Sequence, residues 1–150
     1  MKLIIIRGRQ NDGKTTTSSI LHNQLVERGA KVKLLQTNGN YLSVCNWMVD
    51  FQSVLDLGKR RIVIISEGDD DDRLAELMDE LINEYRPDIV VVCARARDIE
   101  GSSYRMLTQK YKDLIEPRNV FWTEYTDDNS KINEVKSLVV EKIINRIQSI

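Results

Sequence analysis

Short apolar runs and longer stretches with helical spacing alternate from one end of the chain to the other, which is the pattern of an α/β protein with a mostly parallel sheet. The first run, KLIIIR at residues 2–7, is short and rich in β-branched isoleucine, so it reads as a central strand covered on both faces. A helix is predicted over 14–28, with Ile20, Leu21 and Leu25 facing inward and Gly29 ending it. Residues 31–36 predict a second strand nearer an edge, because Lys31 and Lys33 interrupt its apolar run. Val44, Trp47, Met48, Phe51, Val54 and Leu55 fall at helical spacing and predict a helix closed by Gly58.

RRIVIIS at 60–66 predicts the third strand, and 72–85 the clearest helix, whose stripe is Leu74, Leu77, Met78, Leu81, Ile82 and Tyr85. RPDIVVVCA at 86–94 predicts a fourth strand, with Pro87 at its start, where a missing N–H is tolerated. Tyr104, Leu107, Tyr111, Leu114 and Ile115 mark another helix, NVFWTEY at 119–125 a fifth strand, and Ile132, Val135, Leu138, Val139, Ile143 and Ile147 a terminal helix. Five β-α units of this kind build a three-layer α/β/α sandwich on a five-stranded, mostly parallel sheet, with right-handed crossovers dividing the helices between its faces. Ligands of such sheets bind beyond the carboxyl ends of the strands.

At 150 residues the chain is most simply one domain, 1–150, large enough to bury about two-thirds of its unfolded surface. Hydrophobic residues at 41% and charged residues at 30% fit an ordinary globular protein without low-complexity tracts. The formal charge of -1 provides no global field for a nucleic-acid backbone or an anionic membrane. MKLIII passes straight into a charged loop rather than a signal-peptide core, and no stretch approaches the roughly 20 apolar residues of a membrane span. A cytoplasmic protein is expected. Cys45 and Cys93 are far apart and outside any C-x-x-C pair, so both read as buried free thiols. His22 falls among polar helix positions and reads as solvated.

The strongest chemical signal is GRQNDGKTTTSS at 8–19, in which Gly8, Gly13, Lys14 and Thr15 satisfy G-x-x-x-x-G-K-[ST] between a predicted strand and a predicted helix. Glycines let the backbone curl so that successive N–H groups point inward, and the helix beginning near Lys14 adds the positive end of its dipole. A nucleoside triphosphate is the natural guest. Lys14 would reach the β- and γ-phosphates, Thr15 would ligate Mg2+, and Thr16 is placed either for a more internal phosphate or as a plain first-turn residue. Asp12 within the loop must turn outward or pair with Arg7 or Arg9. A dinucleotide fold is disfavoured, because the loop lacks G-x-G-x-x-G and the second strand ends in Gln36, Thr37 and Asn38 rather than an acid.

The stretch GKTTTSSILHNQLVERGAKVKLL resembles the opening of the phosphate-loop (P-loop) NTPases that partition chromosomes and place the division septum. Those ATPases are relatives of the signal-recognition-particle GTPases and dethiobiotin synthetase. RPDIVVVCARARD is similar to a later strand of the same group. The resemblance covers the first 40 residues well, 60–98 loosely, and the C-terminal third not at all. It implies a P-loop NTPase fold and a homodimer or protein partner. Arg9 stands where the group has a signature lysine that reaches the partner's nucleotide, and either does that work or is a solvated loop residue. Gln36 and Asn38 stand where the group ends its second strand with two aspartates, so a substitute acid must come from elsewhere or catalysis is weak.

IVIISEGDDDD contains the substitute: Glu67 or Asp69 could hold Mg2+ or orient an attacking oxygen, whereas Asp70, Asp71 and Asp72 suit a helix start. Its II-x-EG is also similar to kinase-like members of the wider class. Arg95, Arg97 and Arg105 form either a lid for a transferring phosphoryl group or a solvated loop. The guanine-reading N-K-x-D is absent, which favours ATP. The expected function is therefore an ATP- and Mg2+-binding NTPase, slow or acting as a nucleotide switch. Lys14, Glu67 and Asp69 would be its catalytic residues, Thr15 and Glu67 its metal ligands, and Gly8, Arg9, Asp12, Gly13, Lys14, Thr15 and Thr16 its nucleotide-binding residues. The alternatives are a small-molecule or nucleotide kinase, with Gln36 and Asn38 at the acceptor, and a nucleotide-binding protein without turnover.

Overall fold

The structure, a computed structural model, describes residues 1–9, 13–37, 50–68, 71–123 and 132–150. In chain order the elements are β1 (Lys2–Gly8), α1 (Lys14–Glu27), β2 (Lys31–Thr37), β3 (Phe51–Leu57), β4 (Arg60–Ile65), α2 (Asp71–Tyr85), β5 (Ile89–Arg95), α3 (Ser103–Lys110), a 3-10 turn (Lys112–Leu114), β6 (Ile115–Trp122) and α4 (Ile132–Ser149). The six strands lie in the order β2-β3-β4-β5-β1-β6. β4, β5, β1 and β6 are mutually parallel, while β3 runs antiparallel to both of its neighbours.

Isoleucines and valines on the central strands alternate between two cores. Ile4 and Ile6 pack with Leu21 and Leu25 of α1 and Ile143 and Ile147 of α4, while Leu3 and Ile5 pack with Leu74 and Met78 of α2 and Leu107 of α3. Both faces of β1 and β5 are thus covered, and their run of β-branched residues is what a doubly buried parallel strand requires. β2 lies at an edge, as its lysines predict, with Lys31 and Lys33 exposed.

The expected five-stranded sheet is corrected to six strands, because residues 51–57 form β3 and not the end of a helix. The positions of Phe51, Val54 and Leu55 satisfy a helical period, yet a strand uses them equally well. Phe51 and Leu55 face one core and Val54 the other. The deciding local feature is Gly58, which at φ 62° opens a two-residue loop joining Leu57 to its cross-strand partner Arg60. Glycine at that position makes a primed hairpin turn, whose twist matches the strands it joins, so it connects two strands and does not stop a helix. Residues 44–49 of the predicted helix, and Cys45, lie outside the described residues.

α1 departs from the pattern in a second way. Thr17, Ser18 and Ser19 are buried, and each hydroxyl donates to the carbonyl four residues back, on Gly13, Lys14 and Thr15. Self-satisfied hydroxyls let a polar helix start lie inside. Cys93 of β5 is the buried free thiol expected, with Sγ 2.9 Å from Ser18 Oγ.

His22 is not solvated: it is 2% exposed, with Nδ1 3.0 Å from Ser53 Oγ and its ring edge-on to Phe51 at 5.8 Å. Burial against β3 disfavours the imidazolium and pulls the pKa from 6.5 to about 4. Between those values the unfolded chain binds a proton that the folded one refuses. Stability from this group is therefore complete above pH 6.5 and is lost as pH falls toward 4, by at most about 3 kcal/mol. Urea midpoints at pH 7 and pH 5 should diverge for the native chain and converge for His22→Gln; equal divergence in both proteins would assign the loss elsewhere.

Candidate functional site

β1, central and covered on both faces, delivers the chain to the carboxyl edge of the sheet, where Gly8 passes against the end of β6. A Cβ at Gly8 would lie 2.1 Å from Thr123 Oγ1, so any side chain there would force Thr123 to shift. Thr123 in turn donates its N–H to the Arg7 carbonyl at 2.9 Å. At the far end of the loop Gly13 is left-handed, φ 84°, and as the N-cap of α1 it offers no side-chain hydrogen bond to the helix N–H groups. The first N–H groups and the positive end of this 14-residue helix are the features by which a helix N-terminus can meet an anion.

Lys14 is 8% exposed, and its ammonium donates to the carbonyls of Gly8 at 3.1 Å and Arg9 at 2.9 Å. The lysine thus folds back over the opening of its own loop. Thr16 is half-buried on the first turn of α1, Arg9 is exposed, and Asp12 lies outside the described residues. Lys136 of α4 was not singled out from the sequence. It is buried, and a Cβ at Gly13 would lie 2.6 Å from its Cε and 3.0 Å from its Nζ. A second lysine therefore lies against Gly13 from a helix more than a hundred residues away in sequence.

Thr15 donates its hydroxyl to Asp50 Oδ1 at 2.8 Å, and Ser66 Oγ lies 3.4 Å from the same oxygen. Ser66 at the end of β4 also accepts the Phe51 N–H at 2.7 Å and donates its own N–H to the Phe51 carbonyl at 3.0 Å. These bonds pin the start of β3 beside the end of β4 and carry Asp50 to the loop. Asp50 is the carboxylate that the sequence reading missed, because it sat inside the predicted helix.

Glu67 is 8% exposed and differently engaged: Gln52 Nε2 donates to one oxygen and Arg73 Nε to the other at 2.6 Å. Gln36 Nε2 extends the chain by donating to Gln52 Oε1 at 2.9 Å. Gln36 is thus a member of the Glu67 network, while Asn38 and Asp69 lie outside the described residues. Of the residues proposed for metal, Thr15 meets Asp50 and Glu67 meets Gln52 and Arg73.

The hydroxyl of Thr15 and the carboxylate of Asp50 are hard oxygen donors suited to Mg2+. No cluster of three or more His, Cys, Asp or Glu side chains able to hold a metal occurs among the described residues. A cation here would draw its remaining ligands from phosphate and water, which is how Mg2+ is commonly held.

Beside the loop, on the α3 side, the carboxyl ends of β1, β5 and β6 border a groove of about 950 Å3, lined by Arg9, Arg95, Arg97, Ile99, Glu100 and Trp122 among others. Two of the three predicted lid arginines face this groove. Arg105 instead donates to Asp98, at 2.9 Å to Oδ1 and 2.8 Å to the carbonyl. The loop, the Asp50 pair and the groove share one edge of the sheet, and their geometry is the basis for a functional reading, since no protein-family model, curated protein or solved structure matches this chain.

Proposed function

We propose that this protein binds a nucleoside triphosphate with Mg2+ at residues 8–16, ATP in preference to GTP, and acts as a slow NTPase or nucleotide switch of the P-loop type. The carrying observation is the Lys14 ammonium held over the carbonyls of Gly8 and Arg9 at the N-terminus of α1. Phosphate oxygens would replace those carbonyls as acceptors, with the N–H groups of α1 behind them. Thr15 and Asp50 would hold the cation, which supplies charge neutralisation for the phosphate chain. Slow turnover accords with Glu67, whose two oxygens already accept from Gln52 and Arg73 and so offer a water only their remaining lone pairs. Arg9, exposed at the edge, would be the residue that makes nucleotide-dependent contact with a second copy.

A phosphotransferase is the second reading, favoured by the arginine-lined groove beside the loop. Calorimetric titration with ATP, GTP and a non-hydrolysable ATP analogue, with Mg2+ and with EDTA, tests binding, and phosphate release with and without acceptors tests turnover. Tight binding of ATP that weakens in EDTA is expected, and Asp50→Ala should cost about tenfold in Mg2+-dependent affinity, or ~1.4 kcal/mol. Absence of any triphosphate binding would sink the proposal, and acceptor-dependent product formation would select the second reading.

A further inference from the structure

The groove has a composition that the triphosphate loop does not need. Arg9, Arg95 and Arg97 line its walls, from the ends of β1 and β5 and the segment that follows β5. Between them stand two apolar side chains that a bare anion site has no use for: Trp122 is 51% exposed and Ile99 53% exposed. Trp122 is also rigidly backed. The Arg7 guanidinium lies 4.6 Å from the Trp122 ring centroid and 3.5 Å from that of Tyr104, so it is stacked between β6 and α3. Arg7 Nε is buried with no hydrogen-bond partner among the described residues, and the guanidinium contacts both rings.

We propose that this groove is a binding site for a nucleoside monophosphate, separate from the triphosphate loop. Guanidinium forks match a phosphate dianion bidentately, and an exposed indole presents a flat face on which a base stacks. Glu100, the carboxylate on the wall, can accept from an exocyclic amino group or a ribose hydroxyl. A volume of about 950 Å3 suits a ligand of that size. A longer nucleic-acid strand is disfavoured, since the formal charge of -1 provides no extended basic track. Arg9 forms the boundary between the two sites: its carbonyl accepts from Lys14 while its side chain faces the groove.

The test titrates the full chain with AMP, GMP, CMP and UMP by calorimetry and Trp fluorescence, first alone and then with the non-hydrolysable ATP analogue and Mg2+ at saturation. At least one monophosphate should bind with a Kd below about 1 mM under both conditions. Arg97→Ala and Trp122→Leu should each weaken it about tenfold or more, and ribose 5-phosphate or the free nucleoside should bind at least about tenfold more weakly. Arg97 is exposed, so its variant should fold even if Trp122→Leu does not. The proposal is overturned by no monophosphate binding at millimolar concentration, or by competition with the ATP analogue, which would place the ligand in the loop. It is equally overturned if ribose 5-phosphate binds as well as the nucleotide, or if a single-stranded oligonucleotide binds far more tightly. Arg97→Ala and Trp122→Leu alter the groove and leave the loop intact, so monophosphate binding that they weaken is read independently of triphosphate binding, and failure of the triphosphate reading is distinguishable from failure of this one.

Discussion

Lys14→Ala should reduce affinity for Mg2+-triphosphate about a hundredfold, or ~3 kcal/mol, while leaving a folded protein. The magnitude follows from the chemistry of the contact. A buried ammonium donating to phosphate oxygens makes charge-assisted hydrogen bonds at the mouth of a helix whose N–H groups cannot supply the lost charge. In the structure the same ammonium donates to two backbone carbonyls, so its removal costs the fold only about 1–2 kcal/mol. The two effects separate in one experiment. Ligand at a hundred times its Kd stabilises a fold by about 2.7 kcal/mol, so a clear nucleotide-induced rise in Tm should nearly vanish in the variant. A variant whose Tm still rises normally with nucleotide would show that Lys14 is not at the phosphates.

Phe51→Ala should cost about 3–5 kcal/mol of folding stability, a large share of the roughly 5–15 kcal/mol that holds a typical domain together. Phe51 is fully buried among Leu21, Leu25, Ile64 and their neighbours, and it receives the edge of the His22 ring at 5.8 Å. Truncation leaves a cavity between α1 and β3 that close-packed neighbours cannot fill. Asp50 precedes Phe51 directly, so a loosened strand start should also weaken Mg2+-dependent binding. Urea midpoints for Phe51→Ala and for a control at exposed Val32 check the first point. A loss below about 1 kcal/mol at Phe51 would contradict a buried strand here.

Several features of the site were legible in the sequence because they are local. The loop motif, the isoleucine strand before it and the helix after it occupy one short stretch, and each is specified by neighbours in sequence. α2 was equally legible, since its apolar stripe runs unbroken at one period from Leu74 to Tyr85. β3 was not. Three apolar residues satisfied two periods, and only the glycine turn and the pairing with β2 and β4 decide between them. The error propagated to Asp50, because a residue thought to lie in a helix could not be aligned with the end of β4.

The amino-acid sequence by itself determined an α/β protein with a glycine loop and a lysine at the carboxyl end of its first strand, because backbone propensity and side-chain period act over a few residues. Only the tertiary structure decided what surrounds that loop. Asp50 meets Thr15 across 35 positions, His22 is buried because β3 lies over it, and Lys136 reaches Gly13 from the last helix. Arg7 is stacked between Tyr104 and Trp122, and Arg9, Arg95 and Arg97 meet at one groove. Each of these contacts depends on the order in which strands pair within the sheet, and that order is set by packing between segments far apart in the chain.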